Sequence, residues 1–268
     1  MYSRDIKMRK RFLMNFCFVV SLCLLTVFSS CKDIGGLFKA KYQRTEHTSA
    51  PIANVAGLNV ETDVGSITVT GADVTDCNIT AEITVKAQTK EIAQKLAEEV
   101  KMKLESSDDT LTIKAVRPAE LKKRALVVDF KIIAPRHMKL DCSTGVGTVT
   151  VSDIEGRIEA SVNVGSIVCH MVVAELDLSS NVGSVTVKYS DAAPAACNAN
   201  ITANVGSIEF TAPPELSAQV SVSTNIGSVK TARPITVVGK VGKSIKGTTG
   251  SGEGKIMLKT NVGSIEIN

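Results

Sequence analysis

A five-residue pattern recurs seven times along this chain of 268 residues. Each copy contains a turn-forming residue, a β-branched apolar residue, glycine, a hydroxyl residue and another β-branched residue, and most copies are close to Asn-Val-Gly-Ser-Ile. The glycines of the seven copies are Gly65, Gly147, Gly165, Gly183, Gly206, Gly227 and Gly263. Four of the six intervals between them are 18, 18, 23 and 21 residues long. A strand-like repeat of this length predicts a β-solenoid in which each repeat forms one coil.

Apolar residues occupy fixed positions around each glycine. They stand seven, five and one residues before it and two after it, and the position four after it is mostly apolar as well. Alternation of apolar and polar residues at period two is typical of strands. We therefore expect these five columns to point inward, so that each coil supplies two short strands bent around one corner. Such a core needs no cofactor, metal or disulfide to be stable.

The repeated Asn and Gly are residues that form sharp turns. Glycine enters the left-handed backbone region freely and Asn tolerates it, so turn chemistry alone explains both residues at this spacing. The seven glycines are accordingly interpreted as structural turn residues rather than as parts of an active site. Stacked Asn side chains are also able to form a hydrogen-bonded amide ladder along the corner.

The first thirty residues have the composition of an export signal. Five basic residues lie between positions 4 and 11, an apolar run follows over 12–28, and Ser29 and Ser30 lead into Cys31. This pattern predicts a signal peptide over 1–30. Residues 28–31 resemble the lipobox of bacterial lipoproteins, which implies a lipid on Cys31; an ordinary signal peptide with an incidental Cys is the alternative. Residues 31–50 are then expected to form the lipidated Cys and a polar tether.

Removing the signal changes the charge of the protein. Five of the 31 basic and one of the 27 acidic residues precede Cys31, so 26 of each remain. A chain without net charge and without a basic face does not favour nucleic acid as a partner. The chain also contains no Trp and only three Tyr, so an aromatic platform that stacks on sugars is difficult to build.

The long interval between Gly65 and Gly147 predicts an insertion over about 72–135. Alternating apolar residues indicate three strands, and a helix is expected over 89–104, with Thr89 as N-cap and Ile92 and Leu96 on its apolar face. Because the end of a solenoid exposes unpaired strand edges, we interpret the insertion as a cap. A Gly-, Lys- and Ser-rich stretch over about 239–254 is expected to be a mobile loop between the last two coils. The folded domain is thus predicted to span 51–268.

This order of elements resembles a bacterial family of exported β-strand-repeat proteins described as adhesins, whose molecular function is unknown. The resemblance rests on the Glu- and Lys-rich helix, a Leu-Thr-Ile strand, a strand ending in Ala134-Pro135 and the Val-Gly-Ser-Val coils. It covers about 52–268 and implies an all-β fold, namely a single-stranded β-solenoid with an N-terminal capping insertion that contains one α-helix. The family has no motif of active residues to transfer.

Few residues suggest chemistry. Cys142 and Cys169 fall in inward columns and are expected to be buried thiols, whereas a disulfide between Cys77 and Cys197 remains open. Three outward acids lie on consecutive coils, and a weak Ca²⁺ ladder is one hypothesis for them, a solvated acidic face being the alternative. These acids are Asp141, Glu159 and Asp177.

The sequence therefore favours a binding or scaffold protein over an enzyme. We expect an adhesin-like domain without catalysis or cofactor, exported and lipid-anchored to the bacterial outer membrane, facing the periplasm or the cell surface. Its expected partners are the membrane, through the lipid, and an envelope protein or glycan. An envelope-stress or regulatory protein that acts through a membrane partner is the alternative, and a polysaccharide-active β-helix enzyme is a third, less favoured one.

Overall fold

The computed structural model describes residues 39–52, 55–107, 109–122, 125–241 and 243–268. The predicted signal segment and Cys31 lie outside these residues. The N-terminal part of the described chain contains β1 (Ala40–Pro51), β2 (Gly57–Val64), β3 (Ile67–Ala72), β4 (Asp76–Ala87), α1 (Lys90–Glu99), β5 (Lys101–Ser107), β6 (Thr110–Val116) and β7 (Leu126–Pro135). The regular coils follow as β8 (Lys139–Val146), β9 (Val149–Ser152), β10 (Ile158–Val164), β11 (Ile167–Val172), β12 (Leu176–Val182), β13 (Val185–Tyr189), β14 (Asn198–Val205) and β15 (Ile208–Thr211). The C-terminal part contains β16 (Ala218–Ile226), β17 (Val229–Thr231), β18 (Thr236–Val241), β19 (Ser244–Thr249), β20 (Gly254–Val262) and β21 (Ile265–Ile267).

These strands form two sheets, and the protein is an all-β, solenoid-like stack with one helix. Sheet A has the order β1-β4-β7-β3-β9-β11-β13-β15-β21-β17, and sheet B has the order β18-β19-β16-β20-β14-β12-β10-β8-β2-β6-β5. Each coil runs along a strand of sheet B, turns at its repeated glycine and continues in sheet A. Within the stack the strands pair in parallel and in register, with Ile158 beside Leu140 on one side and Leu176 on the other.

The stacking order differs from the order of the chain. The coil formed by β20 and β21 lies between the coil of β14 and β15 and that of β16 and β17. The last coil in sequence is therefore the last but one in space. The single-stranded prediction implies a simple succession of coils, and the molecule does not have that arrangement.

The core lies between the two sheets, but its columns differ from the prediction at two positions. The residue directly before the corner glycine is exposed rather than inward, because the strand leaves its period-two alternation at the preceding Asn; Val164, for example, is 44% exposed. The column three residues before glycine is buried instead. It holds small or hydroxyl residues such as Thr144 and Ser180, whose hydroxyls donate hydrogen bonds to a glycine carbonyl of the neighbouring coil, at 2.9 and 3.2 Å.

The insertion between the first two coils lies at one end of the stack. Strands β4 and β7 extend sheet A in antiparallel pairing, and β5 and β6 extend sheet B. The helix is shorter than predicted and buries Ala93 and Ala97 rather than Ile92, because residues 101–107 are drawn into β5 by pairing with β6. Thr89 is its N-cap, accepting a hydrogen bond from the backbone N–H of Ile92.

Most of the predicted tether is also folded. Residues 40–51 form β1, which pairs with β4 along its whole length at the edge of sheet A. Arg44 fixes this strand to the helix, because its guanidinium donates hydrogen bonds to the carbonyls of Ala97 and Val100 at the helix C-terminus and forms an ion pair with Glu46. The folded domain thus begins before residue 51, and polar composition alone concealed the strand.

The predicted loop over 239–254 contains strands as well. Strand β19 pairs antiparallel with both β16 and β18, so that the segment extends sheet B beyond the last coil. The backbone groups of an end coil need hydrogen-bond partners, and this hairpin supplies them despite its Gly- and Lys-rich composition.

Candidate binding groove

A groove of about 600 Å³ lies on the outer side of sheet B, near the corner. One register row of side chains crosses it from strand to strand. The row runs through Lys114, Glu61, Ser143, Ser161 and Ser179 on β6, β2, β8, β10 and β12. We call this row, together with the neighbouring Asn163 and Asn181, the polar floor of the groove. The floor is regular because parallel pairing in register places equivalent residues of consecutive coils side by side.

Four side chains of the polar floor are already linked in pairs by hydrogen bonds. Asn181 donates a hydrogen bond to Asn163 at 3.0 Å and accepts one from Asn204 at 3.0 Å, which confirms the predicted amide ladder. Ser161 donates a hydrogen bond to Ser143 at 3.2 Å. Such links hold the side chains in one orientation, so a ligand that binds here orders few of them, which reduces the entropic cost of binding.

The insertion closes one end of the groove with charged residues. The insertion contributes Lys114 and Arg117, and β2 contributes Glu61 and Asp63, so the described residues at the closed end carry charges of both signs. Lys114 also forms an ion pair with Glu105 of β5, at 3.5 Å. The guanidinium of Arg117 donates a hydrogen bond to the carbonyl of Leu121, which ties it to the segment joining β6 and β7. The insertion is therefore more than a cap, because it also builds a wall beside the polar floor.

A row of exposed β-branched residues runs along the corner. It consists of the residues directly before the glycines and continues past the end of the groove. Val64 lines the groove itself, whereas the other members are between 37% and 63% exposed. These members are Val146, Val164, Val182, Val205, Val262 and Ile226.

The corner glycines hold this row in place. All seven have a positive φ, between 138° and 154°, and none of the described Asn residues shares that conformation. The described corners therefore use glycine alone for the positive φ, and Asn, although it tolerates that region, contributes the amide ladder instead.

The three acids proposed as a cation ladder have a different partner. Glu159 lies between Asp141 and Asp177 in the register of sheet B. The guanidinium of Arg157 lies 2.8 Å from a carboxylate oxygen of Glu159 and 3.9 Å from one of Asp177, and Asn200 donates a hydrogen bond to Asp177 at 3.1 Å. Partial burial, followed by the charges of Glu159 and Glu61, raises the pKa of Asp141.

This arrangement favours the solvated acidic face. Arg157 supplies the positive charge that the hypothesis assigned to Ca²⁺, and in the described part of the chain no group of three or more His, Cys, Asp or Glu side chains is arranged to hold a metal ion.

The four described thiols are free and buried. Cys142 and Cys169 pack in the core, as expected, and Cys77 and Cys197 are not joined in a disulfide. Burial raises the pKa of Cys77 and Cys169 to about 12 and that of Cys197 to about 11. Because the thiolate is the reactive form, these thiols are poor nucleophiles.

Sequence reasoning missed the groove. The serines and asparagines were recognised only as outward or turn residues, and Lys114 and Arg117 were not singled out. Lys114 alternates along the strand with the apolar residues Leu111 and Ile113, which predicts that it points outward. Only the pairing of β6 with β2 shows that it lies beside Glu61. No local pattern encodes that register.

The comparisons with known proteins agree with this fold. A family model described as Toastrack DUF4097 matches residues 35–268. The chain belongs to this family. Among curated proteins none matches the sequence significantly.

Solved structures to which the chain is similar come from Clostridium sporogenes and Bacteroides fragilis. A putative cell adhesion protein from Clostridium sporogenes is 12% identical, with a TM-score of 0.45, over 84% of this chain and 99% of that one. A putative adhesin from Bacteroides fragilis is 15% identical, with a TM-score of 0.36, over 84% of this chain and 97% of that one. These values are too low for the named roles of the neighbours to be transferred to the Toastrack chain.

The described part of the Toastrack chain has no helix with the length and apolar character that crossing a membrane requires. Its distinctive surface is the groove, which offers fixed hydroxyl, amide and charged groups along a straight line. Chemically, this surface is suited to hydrogen bonding with an elongated polar ligand.

Proposed function

We propose that this Toastrack protein is a non-catalytic binding domain of the bacterial envelope, anchored by a lipid on Cys31, that holds an elongated polar ligand in its groove. The observation that carries the proposal is the polar floor, in which the hydroxyl and amide groups of successive coils are already oriented by hydrogen bonds. Preorganised polar groups in a cleft are the usual basis of specific binding.

The absence of catalysis is proposed from the chemistry of the side chains. Hydrolysis or acyl transfer needs an activated nucleophile or an acid–base pair held at a reacting atom. The described thiols are buried with raised pKa values, and the hydroxyl of Ser161 in the polar floor donates its hydrogen bond to Ser143 rather than to a base.

The anchor is proposed from the signal-like sequence before Cys31, and a location on the outer membrane is proposed with it. Strand β1 begins at Ala40, so only eight residues separate the fold from Cys31. At about 3.3–3.6 Å per residue they span at most about 30 Å. A lipidated chain would therefore hold the domain close to the membrane and to the envelope material around it.

Two measurements test this function. Full-length protein made in bacteria is expected to enter the detergent phase of a phase separation and to incorporate labelled acyl chains, and Cys31→Ala is expected to abolish both; unchanged partitioning contradicts the anchor. Detergent-solubilised protein is expected to co-sediment with washed envelope fragments.

Ser161→Ile provides the matched test of the groove. The substitution fills an exposed position of the polar floor with a β-branched residue that strands accommodate well. Co-sedimentation is expected to fall at least fivefold, whereas Thr202→Ile, in the same column of β14 but outside the groove, is expected to bind like the wild type. Equal binding by both variants contradicts the groove as the binding site.

A further inference from the structure

We infer that the ligand of the groove is a neutral, β-linked glycan chain lying along the stacking axis. The inference rests on the proposed function, because it takes the groove to be the binding site, and it adds the chemical class of the ligand. It follows from three properties of the groove: the hydrogen-bonding groups left over by the polar floor, their spacing and the balance of charge at the closed end.

The first property is the hydrogen-bonding capacity that the polar floor retains. A side-chain amide has two N–H donors and a carbonyl oxygen with two lone pairs. In the amide ladder Asn181 uses one donor toward Asn163 and one lone pair toward Asn204. Each such rung therefore keeps one donor and one acceptor for a ligand. Sugar hydroxyls both donate and accept, so a chain of sugars matches a row of paired donors and acceptors.

The second property is the spacing of the rungs. Neighbouring strands are about 4.7–4.9 Å apart, and this is the repeat of the amide and serine rows. An extended peptide advances about 3.2–3.4 Å per residue, so its polar groups lose register with the rungs after the second one. The rise of one residue in an extended β-1,4-linked hexose chain is close to the strand spacing, so each sugar lies near one rung. Neighbouring sugars in such a chain are turned over relative to each other, so the same hydroxyls face the polar floor at every second rung. The spacing thus favours a glycan over a peptide.

The third property is charge. Lys114 and Arg117 face the groove together with Glu61 and Asp63, so the described residues at the closed end carry charges of both signs. Carboxylates accept hydrogen bonds from neighbouring hydroxyls, while ammonium and guanidinium groups donate to hydroxyl oxygens. A polyanion would meet Glu61 and Asp63, and a polycation would meet Lys114 and Arg117, at a cost in either case. A neutral ligand avoids both repulsions.

The groove offers aliphatic rather than aromatic side chains to a ligand. None of the residues that line it within the described chain is aromatic. Val64 lines it instead, as the first of the exposed β-branched residues at the corner. Aliphatic side chains of this kind offer contact to the C–H face of a sugar, without the additional stabilisation that an aromatic ring gives. Binding is therefore expected to depend on several sugars bound in a row.

Titration calorimetry with defined probes tests the inference on the full chain in detergent micelles. Chitohexaose and cellohexaose are the neutral β-linked probes, a galacturonate hexamer is the anionic one, and hexaalanine is the peptide. We expect heat of binding from at least one neutral hexasaccharide, affinity at least tenfold lower for its dimer, and no heat from the peptide. Tighter binding of the galacturonate hexamer or of the peptide would overturn the inference.

Variants connect that binding to the groove. Ser161→Ile and Glu61→Gln are each expected to weaken hexasaccharide binding at least fivefold, and Thr202→Ile is expected to leave it within twofold. Circular dichroism melts of all three variants verify that they are folded. Because Glu61→Gln conserves the shape of an exposed side chain, this variant is expected to fold. Its affinity can therefore be measured even if Ser161→Ile proves unstable. Equal affinities for all variants would overturn the inference.

Treatment of the envelope fragments separates this inference from the proposed function. Periodate, which cleaves vicinal diols, is expected to abolish groove-dependent co-sedimentation if the ligand is a glucan. An N-acetylated chain lacks that diol, and for it soluble chitohexaose is expected to compete with the fragments. Protease treatment is expected to leave co-sedimentation unchanged in both cases. The reverse result would identify a protein ligand. It would overturn the glycan inference but leave the groove as the binding site. If the wild type and Ser161→Ile co-sedimented equally with untreated fragments, the proposed function itself would be overturned.

Discussion

At the scale of single residues, the corner glycines fix how closely the coils approach. A β-carbon built on Gly183 would lie well inside van der Waals contact with the carbonyl oxygen of Gly165, and Gly183 has a φ of 143°. Gly183→Ala is therefore expected to lower the free energy of unfolding by more than about 2 kcal/mol, since strain at φ and a backbone clash add together.

Gly57→Ala is the matched control for that substitution. Gly57 has an ordinary φ, and an added β-carbon would meet only the side chain of Thr110, whose hydroxyl oxygen is nearest at 3.2 Å. It is expected to change the free energy of unfolding by no more than about 1 kcal/mol. Chemical denaturation of both variants provides the measurement, and similar losses would contradict the special role of the corner.

Residue patterns predicted the corner and most of the core. They did not predict which of the columns one and three residues before the glycine is buried. Period-two alternation correctly assigned buried positions such as Leu178 and Val185. It also assigned Val182 to the core, where the strand in fact leaves its alternation at Asn181 and exposes Val182 to solvent. The bend depends on backbone angles at the corner, and a hydrophobicity pattern contains no information about them.

At the scale of elements, each strand of sheet B is fastened to its neighbour by more than backbone hydrogen bonds. Thr144 of β8 is 3% exposed, and its hydroxyl donates a hydrogen bond to the carbonyl of Gly65 at 2.9 Å. Thr144→Val removes this bond while retaining the shape of the side chain. We expect a loss of about 1 kcal/mol and a melting temperature lower by about 2–4 °C in a domain of this size.

Thr186→Val on β13 is the control for the hydroxyl column. Thr186 lies on the outer face of sheet A between the buried Val185 and Val187. Valine is favoured in strands, so this substitution is expected to leave the melting temperature within about 1 °C. If Thr144→Val and Thr186→Val had the same effect in calorimetry, the buried hydroxyls would not fasten the coils.

Elements at the ends of the stack were the hardest to predict. Strand β1 and the hairpin of β18 and β19 were interpreted as a tether and a loop, because their composition is polar or rich in Gly and Lys. They are strands because the sheet edges of the terminal coils need partners. The helix was correctly located, but its C-terminal end was wrong, since pairing of β5 with β6 overrides a helical pattern that continues to Leu104.

At the scale of the whole molecule, the stacking order could not be predicted from the sequence. The strands of sheet B end in nearly the same residues, so any two coils are able to pair in register. β14 pairs with β20, and β20 with β16, along six or more residues each. Only the hairpin of β18 and β19, which occupies the far side of β16, distinguishes this order from the sequential one. The groove is likewise a product of long-range register between the insertion and the coils.

Deletion of residues 254–268 tests how far the inserted coil holds the C-terminal part together. Without β20 and β21, the strands β14 and β16 face an empty layer about 4.8 Å thick. We expect β16 to lose its protection in hydrogen exchange, while β8, β10 and β12 keep theirs, because contacts in a stacked repeat are local. If the amides of β16 that bond to β20 remained protected, β16 would have paired directly with β14, and the inserted coil would be dispensable.

Arg233→Lys tests the attachment of the inserted coil with a smaller change than the deletion. The guanidinium of Arg233 donates hydrogen bonds to the carbonyls of Ala212, Pro214 and Asn268, at 3.0, 3.1 and 2.9 Å, and so fastens the end of the inserted coil. Lysine keeps the charge but lacks the planar fork that reaches three acceptors at once. Exchange in β20 and β21 is expected to accelerate by an amount that corresponds to about 1–2 kcal/mol, with β8 to β12 unaffected. Acceleration in every strand alike would show that the whole stack unfolds as one unit, and the inserted coil would then have no stability of its own to lose.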